Sequence, residues 1–196
     1  TAEGLGDWFH KSSTQASSNY GIDRNGRVGL YVEEKNRSWC TSSNANDQRA
    51  VTIECASDKA EPYAMHQVVY DRLVDLCEDI CRRNGKKKLL WFGDKNKSLN
   101  YQPKADEMVI TVHRWFANKS CPGDWLYSRL GDLAAKVTSR LGSGNVEVIP
   151  AGMQAGEFQG LTEEQVLAKI GPLFSADQKK SGILASVSMA QFILES

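Results

Sequence analysis

The fold and the site are most readily inferred from the stretch Val109-Ile-Thr-Val-His113-Arg-Trp-Phe-Ala-Asn-Lys119-Ser-Cys121-Pro-Gly-Asp124. A β-branched run ends in an imidazole, and a thiol follows eight residues later, just before Pro-Gly. A strand end can hold His113 rigidly, and a short loop can bring Cys121 back beside it. Imidazole nitrogen and thiolate sulfur are common zinc ligands, at about 2.0–2.1 and 2.3 Å. The two residues predict a metal site that still requires a third ligand.

Composition indicates a globular chain. With 196 residues, of which 41% are hydrophobic, it can form one domain or slightly more around a real core. Its 24 basic and 24 acidic residues cancel, which argues against a nucleic-acid-binding protein that relies on a positive field. No apolar run approaches the roughly 20 residues that span a bilayer, so no membrane span is expected.

The five cysteines are odd in number and follow no disulfide spacing, so mostly reduced thiols are expected. Cys77 and Cys81 lie four residues apart on a predicted helix, which suits metal geometry. No nearby partner completes such a site, so cysteines of the core or its rim are favoured over a structural metal site.

Periodicities along the chain predict alternating helices and strands. The longest helix has apolar residues at three- and four-residue steps, charges on its other side and Asn84-Gly85 at its end. The predicted elements are a helix over 1–11, a β-hairpin over 20–32, a strand over 50–56, the long helix over 64–83, a strand over 89–92 and a helix over 124–141 capped by Asp124. Polar loops are expected over 37–48 and 93–107.

The hairpin is predicted from Asn25-Gly26, a dipeptide that favours a two-residue turn with φ > 0 at both positions. Tyr20 and residues 28–32 should therefore lie on adjacent antiparallel strands. Tyr20 by itself is more often a packed aromatic residue than a catalytic phenol.

Glu54 lies within an apolar segment, residues 50–56. The alternation places three apolar side chains on one face of a strand and Thr52 and Glu54 on the other. A carboxylate is unfavourable in a short strand and costly when buried without a partner. Two interpretations stay open: an edge strand with Glu54 in water, or a carboxylate in a cleft with a chemical role.

A domain boundary is predicted at Gly142-Ser-Gly-Asn145. The first domain would cover residues 1–142, a glycine-containing linker 143–160, and a helical segment 161–196. Two helix starts in that segment, Thr162-Glu-Glu-Gln165 and Ser175-Ala-Asp-Gln178, fit the capping box.

Three separated motifs resemble the zinc N-acetylmuramoyl-L-alanine amidases, a family that includes phage endolysins and animal peptidoglycan recognition proteins. They are Asn19-Tyr20-Gly-Ile-Asp-Arg-Asn-Gly-Arg-Val, then Asn46-Asp-Gln-Arg-Ala-Val-Thr-Ile-Glu54, then His113 with Lys119-Ser-Cys121-Pro-Gly. The resemblance covers roughly residues 1–140. It implies an α/β fold with a mixed central β-sheet flanked by helices, followed in this chain by the linker and a short all-α fragment.

The resemblance also implies a ligand set of two histidines and a cysteine around zinc. His113 and Cys121 match the second histidine and the cysteine. The first histidine lies on a strand before the helix that residues 2–10 match, and in this chain that strand would precede Thr1. This chain is therefore expected to lack one ligand, to bind zinc weakly and to be poorly active.

Further residues match functional positions of that family. Glu54 matches the base toward zinc-bound water, which shifts the open question toward a chemical role. Lys119 matches a lysine that stabilises the oxyanion, and Tyr20 a tyrosine that hydrogen-bonds in the site. Trp39 and Asn46 are expected to contact the substrate.

Cys40 is a departure from the family pattern. It occupies a position where many members carry histidine, which puts the rim of the pocket in doubt.

The last part of the chain carries a second resemblance. Residues 174–196 are similar to the start of an autolysin-type endo-β-N-acetylglucosaminidase domain. In that family the glutamate matching Glu195 is the general acid. Only about 40 residues would belong to this domain.

Together these observations predict a fragment of a zinc-dependent peptidoglycan hydrolase that acts on the bacterial cell wall as a monomer. It would be a secreted autolysin or a phage-encoded lysin made in the host cytoplasm. The alternative is a non-catalytic module that binds muropeptides. Members of that type lack the zinc cysteine, so the presence of Cys121 favours the enzyme.

Overall fold

A computed structural model describes residues 1–142 and, beyond them, only Thr162, Gln165, Ala168 and Gly171. The chain divides into two units, Thr1–Gly144 and Asn145–Ser196, and the numbered helices and strands given below belong to the first. Small β-sheets flanked by helices confirm the predicted α/β class. The predicted linker, the second capping box and Glu195 lie outside the described residues.

The secondary structure is mostly short elements around one long helix. In chain order they are α1 (Ala2–His10), β1 (Tyr20–Ile22), β2 (Val28–Leu30), α2 (Asn44–Asp47), β3 (Ile53–Cys55), α3 (Gln67–Arg83), β4 (Lys88–Leu90), α4 (Lys95–Asn100), β5 (Glu107–Val109), α5 (Asp124–Tyr127) and α6 (Leu130–Gly142), with 3-10 turns at Ser12–Thr14 and His113–Trp115. Among the described residues, no helix is both long and apolar enough to cross a bilayer.

The described strands form two sheets. In the first, β1 lies in the centre, antiparallel to β2 and parallel to β3, with Tyr20 opposite Leu30 and Gly21 opposite Glu54. In the second, β4 and β5 run parallel. A cavity of about 1640 Å³ is lined by residues of β3, β5 and α3. Glu54 of β3 lines this cavity, as do His113 and Cys121 in the segment after β5.

The hairpin of β1 and β2 is confirmed, but its turn differs from the prediction. Gly26 has φ 78°, whereas Asn25 does not have a positive φ. The turn is closed by a 2.9 Å hydrogen bond from Gly26 N to Asp23 O. The Asp23 carboxylate also accepts from the backbone N–H groups of Asn25 and Arg27. An aspartate side chain thus replaces the second positive-φ residue as the source of turn stability.

The long helix α3 is confirmed, and it begins at Gln67 rather than at residue 64. Its apolar stripe is buried, with Val69 and Leu76 at most 1% exposed. Lys86 N donates to Cys81 O and Gly85 N to Arg82 O, and Gly85 has φ 64°. These two bonds form a Schellman motif, the helix end expected from Asn-Gly.

Three features of the region from residue 93 to residue 142 differ from the sequence prediction. The polar region 93–107 contains α4, which the Asp94 side chain caps through a 2.7 Å bond from Lys97 N. The helix predicted over 124–141 is interrupted into α5 and α6. Asp124 does not cap it, because its carboxylate instead binds Arg114 at 2.8 Å.

The strand predicted over 89–92 ends at Leu90. The next side chain, that of Trp91, stacks on Trp115 with ring centroids 5.1 Å apart and planes 2° from parallel. Packing of two large rings thus takes precedence over continued strand pairing at this point.

Beyond residue 142, one predicted helix start is described. Thr162 N donates to the Gln165 side chain at 2.9 Å, and Gln165 N donates to Thr162 Oγ1 at 3.4 Å. This reciprocal pair is the predicted capping box.

Candidate active site

His113 follows β5 and opens a 3-10 turn. The backbone is extended as far as Val112, with φ −135° and ψ 147°, although strand pairing ends at Val109. Burial, then the positive charge of Lys119, lowers the pKa of His113, and the charge of Asp47 partly opposes this. The imidazole is therefore neutral at neutral pH, the form in which it can ligate a metal or accept a proton.

Cys121 returns to the start of the same turn, as the sequence predicts. Arg114, the residue after His113, donates its backbone N–H to Cys121 O at 3.0 Å. The Arg114 guanidinium also donates to Ser120 O. Burial and the charge of Glu54 raise the pKa of the Cys121 thiol, while the cations Lys119 and Arg114 oppose them. Glu54 and Cys121 are thus close enough to interact electrostatically.

Gly123 shapes the loop that follows Cys121. Its φ is 81°, and a Cβ at this position would lie 2.7 Å from Tyr63 Cβ and 3.0 Å from Pro62 O. Only glycine fits both the backbone conformation and the space. The Pro-Gly pair after the thiol is therefore explained by geometry.

Glu54 occupies the middle of β3 and is half-buried. Cys40 Sγ donates to Glu54 Oε1 at 3.7 Å. Burial raises the pKa of Glu54, and the hydrogen bond from Cys40 partly opposes that rise. The strand is at the edge of its sheet among the described strands, and Glu54 lines the cavity.

Residues 40–47, a short loop that leads into α2, contact both Glu54 and His113. Cys40 touches the carboxylate, and Ser42 Oγ lies 3.4 Å from His113 Nε2. Ser42 has φ 62°, a conformation that costs energy in a residue other than glycine and that is frequent at functional sites. One short loop therefore contacts the candidate base and the candidate ligand.

Tyr20 does not join these residues. Its neighbour Gly21 is the register partner of Glu54, so the Tyr20 side chain lies on the opposite face of the sheet. There its hydroxyl donates to Glu34 at 2.8 Å and accepts from Arg83 at 3.3 Å, and the residue is 3% exposed. The structure thus places the Tyr20 side chain in the core, on the face of the sheet away from Glu54.

The three remaining candidates differ in position. Lys119 is exposed, and its charge acts on His113 and Cys121. Trp39 is 54% exposed, with the Arg37 guanidinium 5.2 Å from its ring centroid.

Asn46 lines the cavity, but its amide is engaged within the protein. It donates to Thr41 Oγ1 at 3.2 Å and accepts from Thr111 Oγ1 at 3.0 Å.

The donors of the site are suited to a metal in kind but not in number. Imidazole and thiol are typical zinc ligands, and His113 and Cys121 both line the cavity. Within residues 1–142, no group of three or more His, Cys, Asp or Glu side chains could hold a metal ion. The described residues thus do not form a complete zinc site.

Two supporting residues of the site were not predicted from the sequence. Asn19 is fully buried and hydrogen-bonds with both the backbone N–H and the hydroxyl of Thr52. Asp47 is 3% exposed and binds Cys40 and Thr41. Both residues lie within the motifs that resemble the amidase family. Apart from that resemblance, nothing in the sequence distinguishes them from other polar residues near a short strand or helix.

Comparison with known proteins identifies one family. A family model described as N-acetylmuramoyl-L-alanine amidase matches residues 1–124, a range that contains Glu54, His113 and Cys121. No curated protein and no solved structure gives a significant match.

Proposed function

Because the chain belongs to the N-acetylmuramoyl-L-alanine amidase family, we propose that it hydrolyses the amide bond between the lactyl carbonyl of N-acetylmuramic acid and L-alanine in peptidoglycan. The observation that carries this proposal is the half-buried carboxylate of Glu54 beside the cavity that His113 and Cys121 also line.

Glu54 is the proposed general base. A base works best when its pKa lies near the operating pH, and burial raises the pKa of Glu54 toward that range. Since Cys40 occupies Oε1, the other oxygen is the one available to take a proton from the attacking water. The same carboxyl group would later pass that proton to the leaving amine.

Lys119 is the proposed stabiliser of the oxyanion. The ammonium is exposed, so it can approach a substrate carbonyl at the mouth of the cavity, and its charge acts on both His113 and Cys121. Removing one oxyanion donor costs roughly 2.7–4 kcal/mol in other hydrolases. Trp39 and Asn46 are proposed to contact the substrate at the rim.

Zinc is the proposed cofactor, with His113 and Cys121 as two of its ligands. A third protein ligand would have to come from outside the described residues, since those residues hold no complete set. Proton transfer and oxyanion stabilisation are accordingly assigned to side chains of this chain alone. Zinc stoichiometry of wild type and Cys121→Ser, measured in solution, tests the ligand assignment, and equal binding by both would refute it.

The decisive experiment on the catalytic role is Glu54→Gln in the full polypeptide, assayed by release of new amino groups from purified peptidoglycan. We expect activity to fall by at least 10²-fold, the lower end of what a general base contributes. Glu33→Gln is the matched control, because Glu33 is exposed and its carboxylate contacts Lys35 and Asn36 at the surface. Wild-type activity in Glu54→Gln would overturn the assignment.

The incomplete donor set favours a second candidate, a module that binds muropeptides without cutting them. It predicts retention on insoluble peptidoglycan with no release of amino groups at any zinc concentration. Zinc-dependent release would exclude it.

The glucosaminidase activity stays a separate proposal. Its general acid Glu195 lies outside the described residues. Glu195→Gln, assayed by release of reducing ends from peptidoglycan, tests it independently of the amidase. Action at the bacterial cell wall, as a secreted autolysin or a phage-encoded lysin, follows from the proposed substrate.

A further inference from the structure

The thiol of Cys40 lies against the candidate base. Its Sγ is 3.7 Å from Glu54 Oε1, within hydrogen-bonding range for sulfur. Burial, then the charge of Glu54, raises the pKa of Cys40 to about 12. The thiol therefore keeps its proton at neutral pH and acts as a donor to the carboxylate.

The position of Cys40 is fixed by Asp47. This nearly buried carboxylate accepts from Cys40 N at 3.2 Å, from Thr41 N at 3.2 Å and from Thr41 Oγ1 at 2.6 Å. Hydrogen bonds to a charged acceptor are roughly twice as strong as neutral ones. The backbone of Cys40 and Thr41 is thus held at the cavity by one side chain.

We propose that Cys40 is a positioning residue for Glu54, and that Asp47 holds the loop that presents its thiol. The inference rests on the proposed role of Glu54 as base. A thiol is a weak donor, so it can orient one carboxylate oxygen without much reducing the basicity of the other. If Cys40 only filled space, kcat and the titration midpoint of Glu54 would not depend on whether residue 40 can donate a hydrogen bond.

The kinetic test compares Cys40→Ala, Cys40→Ser and the control Cys77→Ala in the full polypeptide. Cys77 also lines the cavity, but no hydrogen bond joins it to Glu54 in the described structure. Loss of one hydrogen bond should lower kcat about tenfold in Cys40→Ala with KM unchanged. Cys40→Ser, which restores a donor, should recover most of kcat. Equal losses in both Cys40 variants, or an unchanged kcat in Cys40→Ala, would refute the inference.

A second readout does not depend on activity. The side-chain carbon of Glu54, observed by carbon-13 NMR and assigned with Glu54→Gln, reports its titration. Among the described residues, the titratable groups besides Cys40 that interact with the Glu54 charge are the thiols of Cys55 and Cys121. The midpoint should move to higher pH in Cys40→Ala, stay near wild type in Cys40→Ser and not move in Cys77→Ala.

The two readouts separate the positioning role from the proposed function. A shifted midpoint together with a fully active Glu54→Gln would support the contact between Cys40 and Glu54 but refute the role of Glu54 as base. An unshifted midpoint together with an inactive Glu54→Gln would support the role of Glu54 as base but refute the positioning role of Cys40. Thermal unfolding of each variant identifies loss of fold, and Cys40→Ser decides the matter if Cys40→Ala does not fold.

Discussion

Asn19→Asp should be one of the most destabilising isosteric changes in the chain. The wild-type amide is fully buried at the start of β1. Its Nδ2 donates to the carbonyl oxygens of Val32, Glu33 and Asn36 at 3.0, 3.2 and 3.3 Å. Its Oδ1 accepts from Thr52 N at 2.9 Å and from the Thr52 hydroxyl at 3.1 Å.

The substitution keeps an oxygen in the place of Oδ1 but replaces the hydrogen-bond donor Nδ2 by a second oxygen, which is an acceptor. The introduced oxygen would face the three carbonyl oxygens that Nδ2 now binds, at 3.0–3.3 Å. Leaving a buried charge without a partner costs about 3–5 kcal/mol. Domains of this kind are stable by only about 5–15 kcal/mol, so the variant should lose a large part of its free energy of unfolding.

The cost should depend on pH. Burial among carbonyl groups would raise the pKa of the introduced carboxyl above its unfolded value of about 3.9. The folded state then binds the proton more tightly, so stability falls as pH rises from that value to the folded pKa. The penalty should be smallest in acid and full at neutral pH.

Urea unfolding followed by tryptophan fluorescence, at pH 7 and near pH 4, measures both effects. Asn25→Asp is the control, because Asn25 is exposed in the β1–β2 turn. It should change the free energy of unfolding by less than about 0.5 kcal/mol. A loss below about 1 kcal/mol for Asn19→Asp at pH 7, or an equal loss in the control, would show that the reasoning about this amide is wrong.

Three further predictions concern stability. Gly123→Ala should lower the free energy of unfolding in urea more than Gly85→Ala. Both glycines have a positive φ, which costs alanine about 1 kcal/mol, but only at position 123 would a Cβ also lie 2.7 Å from Tyr63. Equal losses in the two variants would contradict this. Burial alone would raise the pKa of Glu34, but the hydrogen bonds and charge of Arg83 outweigh burial and lower that pKa. The ionised carboxylate therefore stabilises the folded state fully above about pH 4.3, and this stabilisation is lost as the pH falls through the folded pKa. Glu34→Gln should make the free energy of unfolding in urea less dependent on pH in acid. The Thr138 hydroxyl accepts from Leu89 N at 3.0 Å and donates to Leu89 O at 3.1 Å, in the middle of β4. Thr138→Val should therefore lower the free energy of unfolding by about 1–3 kcal/mol and speed amide hydrogen exchange in β4. Unchanged exchange would refute this role of Thr138.

Elements with a strong local signal could be predicted from the sequence. The long helix α3 and the hairpin of β1 and β2 follow from apolar periodicity and from end or turn residues within a few positions. The helix α4 has no apolar period and depends on the Asp94 cap, so no such signal existed. The interruption between α5 and α6 and the early end of β4 depend on tertiary contacts, among them the stacking of Trp91 on Trp115.

The sequence indicates candidate site residues by their chemical groups better than by their positions. Residues that carry a distinctive group, such as Glu54, are recognisable by type. Tyr20 shows the limit of that approach, because its direction depends on strand register, which places it on the face away from Glu54. Asn19 and Asp47 are ordinary polar residues by type, and their importance depends on burial and on partners distant in the sequence.

The spacing between Glu54, the proposed base, and the His113 imidazole depends on residues 40–47, a loop that leads into α2. Glu54 lies on β3 and His113 follows β5, and among the described strands these belong to different sheets, so no shared ladder of backbone hydrogen bonds holds them together. The loop contacts Glu54 through Cys40, and Asn46 joins it to Thr111, two residues before His113. A change within residues 40–47 should therefore alter the distance between Glu54 and His113 even where it leaves the chemical groups and both sheets intact.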